Sequence, residues 1–76
     1  MITVLRSGAL RVVIFTDDHL PAHVHVFGDA EAKIDISGSE PRLISNSMRH
    51  GELRRASALV ADRQAFLLEK WRELHG

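Results

Sequence analysis

The chain has 76 residues and a mass of 8.5 kDa, room for one domain, 1–76, and no second. Its 45% apolar and 26% charged residues exclude disorder, and ten cations balanced by ten acids argue against a general nucleic-acid coat protein. The lack of cysteine excludes a disulfide framework, a zinc ribbon and a thiol nucleophile.

In chain order, residues 1–47 read as short strands separated by turn residues. Thr3–Arg6 is a brief strand closed by the turn Ser7-Gly8-Ala9. Leu10–Thr16 is rich in β-branched residues and apolar enough to lie centrally. Asp17–Ala22 is a loop, because Pro21 fixes its own φ and pushes Leu20 into an extended conformation. His23–Phe27 is the third strand and Gly28–Glu31 the next turn. Ala32–Ser37 alternates, with Ile34 and Ile36 on one face and Lys33 and Asp35 on the other. After the turn Gly38–Pro41, Arg42–Asn46 reads as a fifth, shorter strand.

From about Arg49 the apolar period becomes helical. Leu53, Ala56, Val60, Leu67, Trp71 and Leu74 form one stripe, widened by Leu59 and Phe66, while Glu52, Arg55, Asp62, Glu69 and Glu73 fall away from it. The pattern predicts one long helix over residues 49–75. At about 1.5 Å per residue it would reach roughly 40 Å, so it projects or bends near Gly51 or Ala61–Asp62. The fold class is α+β: an antiparallel sheet of four to five strands with one long C-terminal helix packed on one face.

Register follows from burial. Val24 and Val26 should share the helix-covered face with Ile34 and Ile36, and the pairing Val26 opposite Ile34 achieves this. His25 then faces Asp35, and His23 faces Ser37. A one-residue slip would bury Lys33 and Asp35. His23, His25, Lys33 and Asp35 are therefore expected on the open face.

Charge is uneven despite the zero sum. Residues 1–40 carry three cations against six acids, and residues 41–76 seven against four. Arg49, Arg54 and Arg55 cluster where the helix begins, as either a phosphate-binding patch or a solvated helix surface. Ordering so short a chain costs nearly what its apolar burial returns, so a homo-oligomer or a small protein partner is expected. No apolar run approaches the roughly 20 residues of a membrane span and the start of the chain lacks a signal-peptide layout, so a cytoplasmic protein without membrane contact is expected.

Three of the five histidines, His19, His23 and His25, fall within seven residues. On a strand, His23 and His25 point the same way with Cα atoms about 6.5 Å apart. His19 can fold over the same spot, with Asp17 or Asp18 beside it. Three uses compete. One is a divalent metal held by His23, His25 and either His19 or a carboxylate such as Asp35, with water in an open position. Another is metal-free acid–base chemistry on a phosphodiester by His23 and His25, with Lys33 or Arg11 steadying the charge. The last is a purely structural role, capping loop groups or lining an interface. His50 and His75, near the helix ends, are expected to be solvated, with His75 favourable at the C-terminal dipole.

The segments Thr3–Arg6, Arg11–Phe15, His19-Leu20-Pro21-Ala22-His23-Val24-His25-Val26 and Leu68–Gly76 resemble the domain-of-unknown-function family 4160, a small bacterial family. The resemblance covers nearly the whole chain. It implies a gene neighbour from domain-of-unknown-function family 2442, and with it a two-gene, toxin–antitoxin-like module. On that basis the chain is expected to be a toxin-like component whose histidine face contacts RNA or another phosphate ligand through His19, Arg11, Arg49, Arg54 and Arg55. The alternative is a non-catalytic metal-binding or regulatory module using the same face. Relatives place a capping serine where this chain has Arg49, so the helix start should fray or move to Ser47.

Overall fold

A computed structural model describes residues 1–76. The alternating and β-branched stretches form five strands: β1 (Ile2–Ser7), β2 (Leu10–Ile14), β3 (His23–Phe27), β4 (Glu31–Asp35) and β5 (Arg42–Asn46). They make one antiparallel sheet in the order β1-β2-β3-β4-β5, so every strand pairs with its neighbour in the chain. β3 and β5 have their expected bounds. β1 is longer than expected, because the two-residue turn at Gly8-Ala9 takes Gly8 at φ +57° and lets Ser7 pair with Leu10. β2 ends at Ile14 rather than Thr16, and β4 runs from Glu31 to Asp35 rather than from Ala32 to Ser37.

The C-terminal part is two helices, α1 (His50–Asp62) and α2 (Gln64–His75), rather than one long helix. The break is Arg63, at φ −116° and ψ 21°, and it falls beside the expected bend region. The Gln64 Nε2 amide donates to the carbonyls of Ile36 and Gly38 at 3.0 and 2.9 Å, tying the start of α2 to the chain leaving β4. A straight rod would carry the second half of the apolar stripe off a molecule measuring 34 × 24 × 19 Å. Turning at Arg63 keeps Leu67 and Trp71 buried with Ala56 and Val60. Neither helix is long and apolar enough to cross a membrane.

The core lies between the helices and one sheet face, where Val12, Ile14, Val24, Val26, Ala32, Ile34 and Ile36 are buried. The expected faces hold, but the β3–β4 register is shifted by two residues. Val24 faces Ile34, Val26 faces Ala32, His25 faces Lys33 and His23 faces Asp35. A shift of two preserves which side chains share a face, so burial alone does not select between the two pairings. The loop's hydrogen bonds do select. Gly28 N–H donates to the Ala30 carbonyl, and Glu52 of α1 accepts from the backbone N–H groups of Asp29 (2.8 Å) and Ala30 (3.3 Å). Glu52 was expected to fall away from the apolar stripe of the helix. It instead caps the hairpin tip through its carboxylate, which sits so close that a Cβ on Gly28 would meet it at 2.6 Å.

The helix begins at His50 with Arg49 at the cap position and no side-chain cap, so the start does not move to Ser47. Ser47 Oγ is engaged elsewhere, accepting from Glu31 N–H at 3.3 Å.

Candidate metal centre

β3 presents His23 and His25 on the side opposite Val24 and Val26, and the preceding loop brings Asp18 across them. Asp18 Oδ2 lies 2.9 Å from His23 Nε2 and 3.3 Å from His25 Nε2. The three ligand atoms all lie within 4.8 Å of one another. A tetrahedral ion with about 2.0–2.1 Å bonds needs ligand separations of about 3.3 Å, so closing the set asks at most about 1.5 Å of side-chain movement.

Each imidazole is oriented from behind. His23 Nδ1 donates to the Pro21 carbonyl at 2.9 Å, and His25 Nδ1 donates to Glu31 Oε2 at 2.8 Å. Those partners are acceptors, so both Nδ1 atoms carry the proton, and in the neutral rings both Nε2 atoms are bare lone pairs. Both Nε2 atoms face one carboxylate oxygen, with His25 Nε2 within hydrogen-bond distance of it at 3.3 Å. His23 Nε2 is buried and makes no well-directed hydrogen bond despite its 2.9 Å approach to Asp18. An acceptor aimed at an acceptor needs a cation between them, either a proton or a metal ion.

Aromatic packing stiffens the rings. Phe15 meets His25 edge-on at 4.6 Å and Phe27 stacks on it at 6.3 Å, while Trp71 of α2 lies 5.2 Å from His23. His23 is consequently only 6% exposed. The face expected to be open is thus closed around His23 and largely closed around His25, because α2 packs beside the one and the two phenylalanines beside the other.

The other expected site residues fall elsewhere. His19 is exposed in the loop, directed into a cleft shared with Arg72 and His75, and Asp18 takes the third position in the ligand set. Asp35 is buried opposite His23, yet its carboxylate is taken by Ser37 and by Arg42 at 3.1 Å, apart from the ligand cluster. The Ser37 hydroxyl and backbone N–H hold the Asp35 carboxyl below the ordinary carboxylate range, and Arg42 adds to this against the opposing effect of burial. Lys33 is the cross-strand neighbour of His25 but lines a shallow depression with Glu31 and Ser45. Arg11 lies over the Phe27 ring at 5.2 Å. Arg49 and Arg55 line a cleft with Asp29 and Glu52, whose charges oppose theirs, and Arg54 is exposed. None of these three arginines lies with the histidines.

His50 is exposed, as expected. His75 is not solvated. It stacks on Trp71 at 3.7 Å and donates from Nδ1 to the Trp71 carbonyl, one turn back. Sequence reasoning passed over Glu31, which it placed in a turn, although a carboxylate six residues after a strand histidine can meet it across a tight hairpin.

The family model described as Domain of unknown function (DUF4160) matches residues 10–72. The chain belongs to this family. The matched span of this DUF4160 chain holds all three ligand positions and both orienting groups, Pro21 and Glu31. No curated protein and no solved structure matches the DUF4160 chain.

Proposed function

We propose that the protein binds a borderline divalent transition ion of the Zn²⁺ class through His23 Nε2, His25 Nε2 and the Asp18 carboxylate. The observation that carries this reading is the convergence of His23 Nε2 and His25 Nε2 on one carboxylate oxygen, with both Nδ1 atoms engaged behind the rings. One proton on either ring leaves the other lone pair opposed to the carboxylate. Two protons place two cations on rings whose centroids are 5.4 Å apart, with Asp18 and Glu31 as their counter-charges. A single divalent ion satisfies all three groups.

Two imidazoles and one carboxylate suit Zn²⁺, Fe²⁺, Co²⁺ or Ni²⁺ better than Mg²⁺ or Ca²⁺. The Pro21 carbonyl and Glu31 stand behind the rings as outer partners, the arrangement that fixes metal-bound imidazoles elsewhere. Three protein ligands leave a position for water, and such an ion activates bound water or polarises an oxygen.

The same geometry weighs against metal-free proton transfer by His23 and His25, since both reactive nitrogens point at Asp18. The toxin-like, RNA-contacting reading and a family 2442 partner rest on the family resemblance alone.

Zinc titrated into metal-stripped protein should bind one-to-one in calorimetry and elemental analysis, and Asp18→Asn or His23→Ala should remove that binding. No uptake at tens of micromolar zinc would end the proposal.

A further inference from the structure

The β1–β2 hairpin sets two cations against each other on the face of the sheet that carries the histidines. Arg6 of β1 is the direct cross-strand partner of Arg11 of β2, so their Cβ atoms stand about 4.5–5.5 Å apart on one face. Contacts fix which face: the Arg11 guanidinium lies over the Phe27 ring at 5.2 Å, and Phe27 stacks on His25. Like charges directly opposite each other destabilise a strand pair, and no acid answers these two. Neither arginine takes part in any of the chain's ion pairs. Beyond Arg11 in the same row come Phe27 and then Glu31, whose carboxylate is engaged by His25. Asp29, Glu52 and Asp62 line a cleft with the turn Ser7–Leu10, but they do so with Arg55 and Leu59 of α1, on the helix side of the sheet. Arg6 is exposed on an edge strand, so the pair is reached from solvent, while the cation–π contact orients Arg11. A carboxylate or a phosphate diester would answer only one of the two charges. A phosphate monoester carries close to two negative charges at neutral pH and offers oxygens to both guanidinium forks.

We propose that Arg6 and Arg11 form a binding site for a phosphate monoester, which bridges the two guanidiniums at the edge of the sheet. The site is separate from the Asp18, His23 and His25 cluster and does not depend on a metal ion.

The test is calorimetry on the full chain at pH 8 in a chelating buffer, with phenyl phosphate, its singly charged shape analogue phenyl sulfate, and benzyl alcohol. Phenyl phosphate should bind one-to-one, phenyl sulfate at least about 10-fold more weakly, and benzyl alcohol not measurably. Arg6→Gln and Arg11→Gln should each weaken phenyl phosphate about 10-fold, as loss of a charged hydrogen bond does, and Arg54→Gln should match wild type. Because the empty pair is repulsive, Arg6→Gln without ligand should melt no lower than wild type. It should also lose the rise in melting temperature that phenyl phosphate gives wild type. A phosphoserine peptide that binds more tightly than phenyl phosphate would assign the monoester to a modified protein chain, and the reverse order to a small molecule. No binding at millimolar phenyl phosphate, or equal binding of phenyl sulfate, overturns the proposal. An equal loss from Arg54→Gln would mean a general basic surface and overturns it too, as does a ligand-free Arg6→Gln that melts several degrees below wild type, since the pair would then be structural.

Discussion

The two sides of β3 are built from alternate residues of one strand, yet they are specified by different physics. Val24 and Val26 are fully buried against aliphatic neighbours and the helices, where volume is what matters. His23 and His25, one residue away on the other side, depend on direction. Each ring has one nitrogen bonded backward and one aimed at Asp18. The strand thus supplies a tolerant side for stability and an exacting side for chemistry.

The sharpest way to separate the sides is to damage one and watch the other. Leu67→Ala, on the packed side, should cost about 2–5 kcal/mol, a large part of the stability of so small a domain. The fraction that remains folded should still take up one zinc, and thermal melts with and without metal report both. A melting temperature within a degree or two of wild type would mean that Leu67 is not part of the core.

Glu31→Ala works from the other direction. Removing an outer partner of a metal-bound imidazole typically weakens affinity by about 10–100-fold. Glu31 is itself partly exposed, so the metal-free melting curve should move far less than for Leu67→Ala. Unchanged zinc affinity would show that Glu31 does not orient His25.

The smallest expected effect concerns the far end of the β3–β4 pair. Because Asp35 is held below the ordinary aspartate value of about 3.9, its contribution to stability is present above that value and lost as pH falls through the depressed folded one. Ser37→Ala removes a leading cause of the depression. The variant should therefore melt lower than wild type near neutrality, and the gap should narrow as acid protonates the Asp35 carboxylate. A gap independent of pH would mean that the Ser37 hydroxyl does not act through the Asp35 charge.

The two sides were also unequally legible in the sequence. Alternation of Val24, Val26, Ile34 and Ile36 is enough to assign faces, because a wrong face would bury Lys33. It cannot distinguish registers that differ by two, and the actual one is set by hydrogen bonds between the hairpin tip and Glu52, more than twenty residues on. His23 and His25 were readable as a converging pair from strand geometry. Their third partner was not. His19 and Asp18 are adjacent in a loop, and only the loop's path decides that Asp18 turns inward while His19 faces the cleft. The helix break was legible as a problem of length, but its position depends on Gln64 finding two carbonyls beyond β4.

The meander order of the sheet has a kinetic consequence. Each strand closes on the one before it, so the sheet is built from contacts local in the chain, and short loops carry little closure entropy. Asp18, Pro21, His23, His25 and Glu31 all lie within residues 18–31, a stretch that spans the loop into β3, β3 itself and the turn to the first residue of β4. The β3–β4 hairpin alone brings His25 to Glu31, with no residue of the edge strands β1 and β5 among these five.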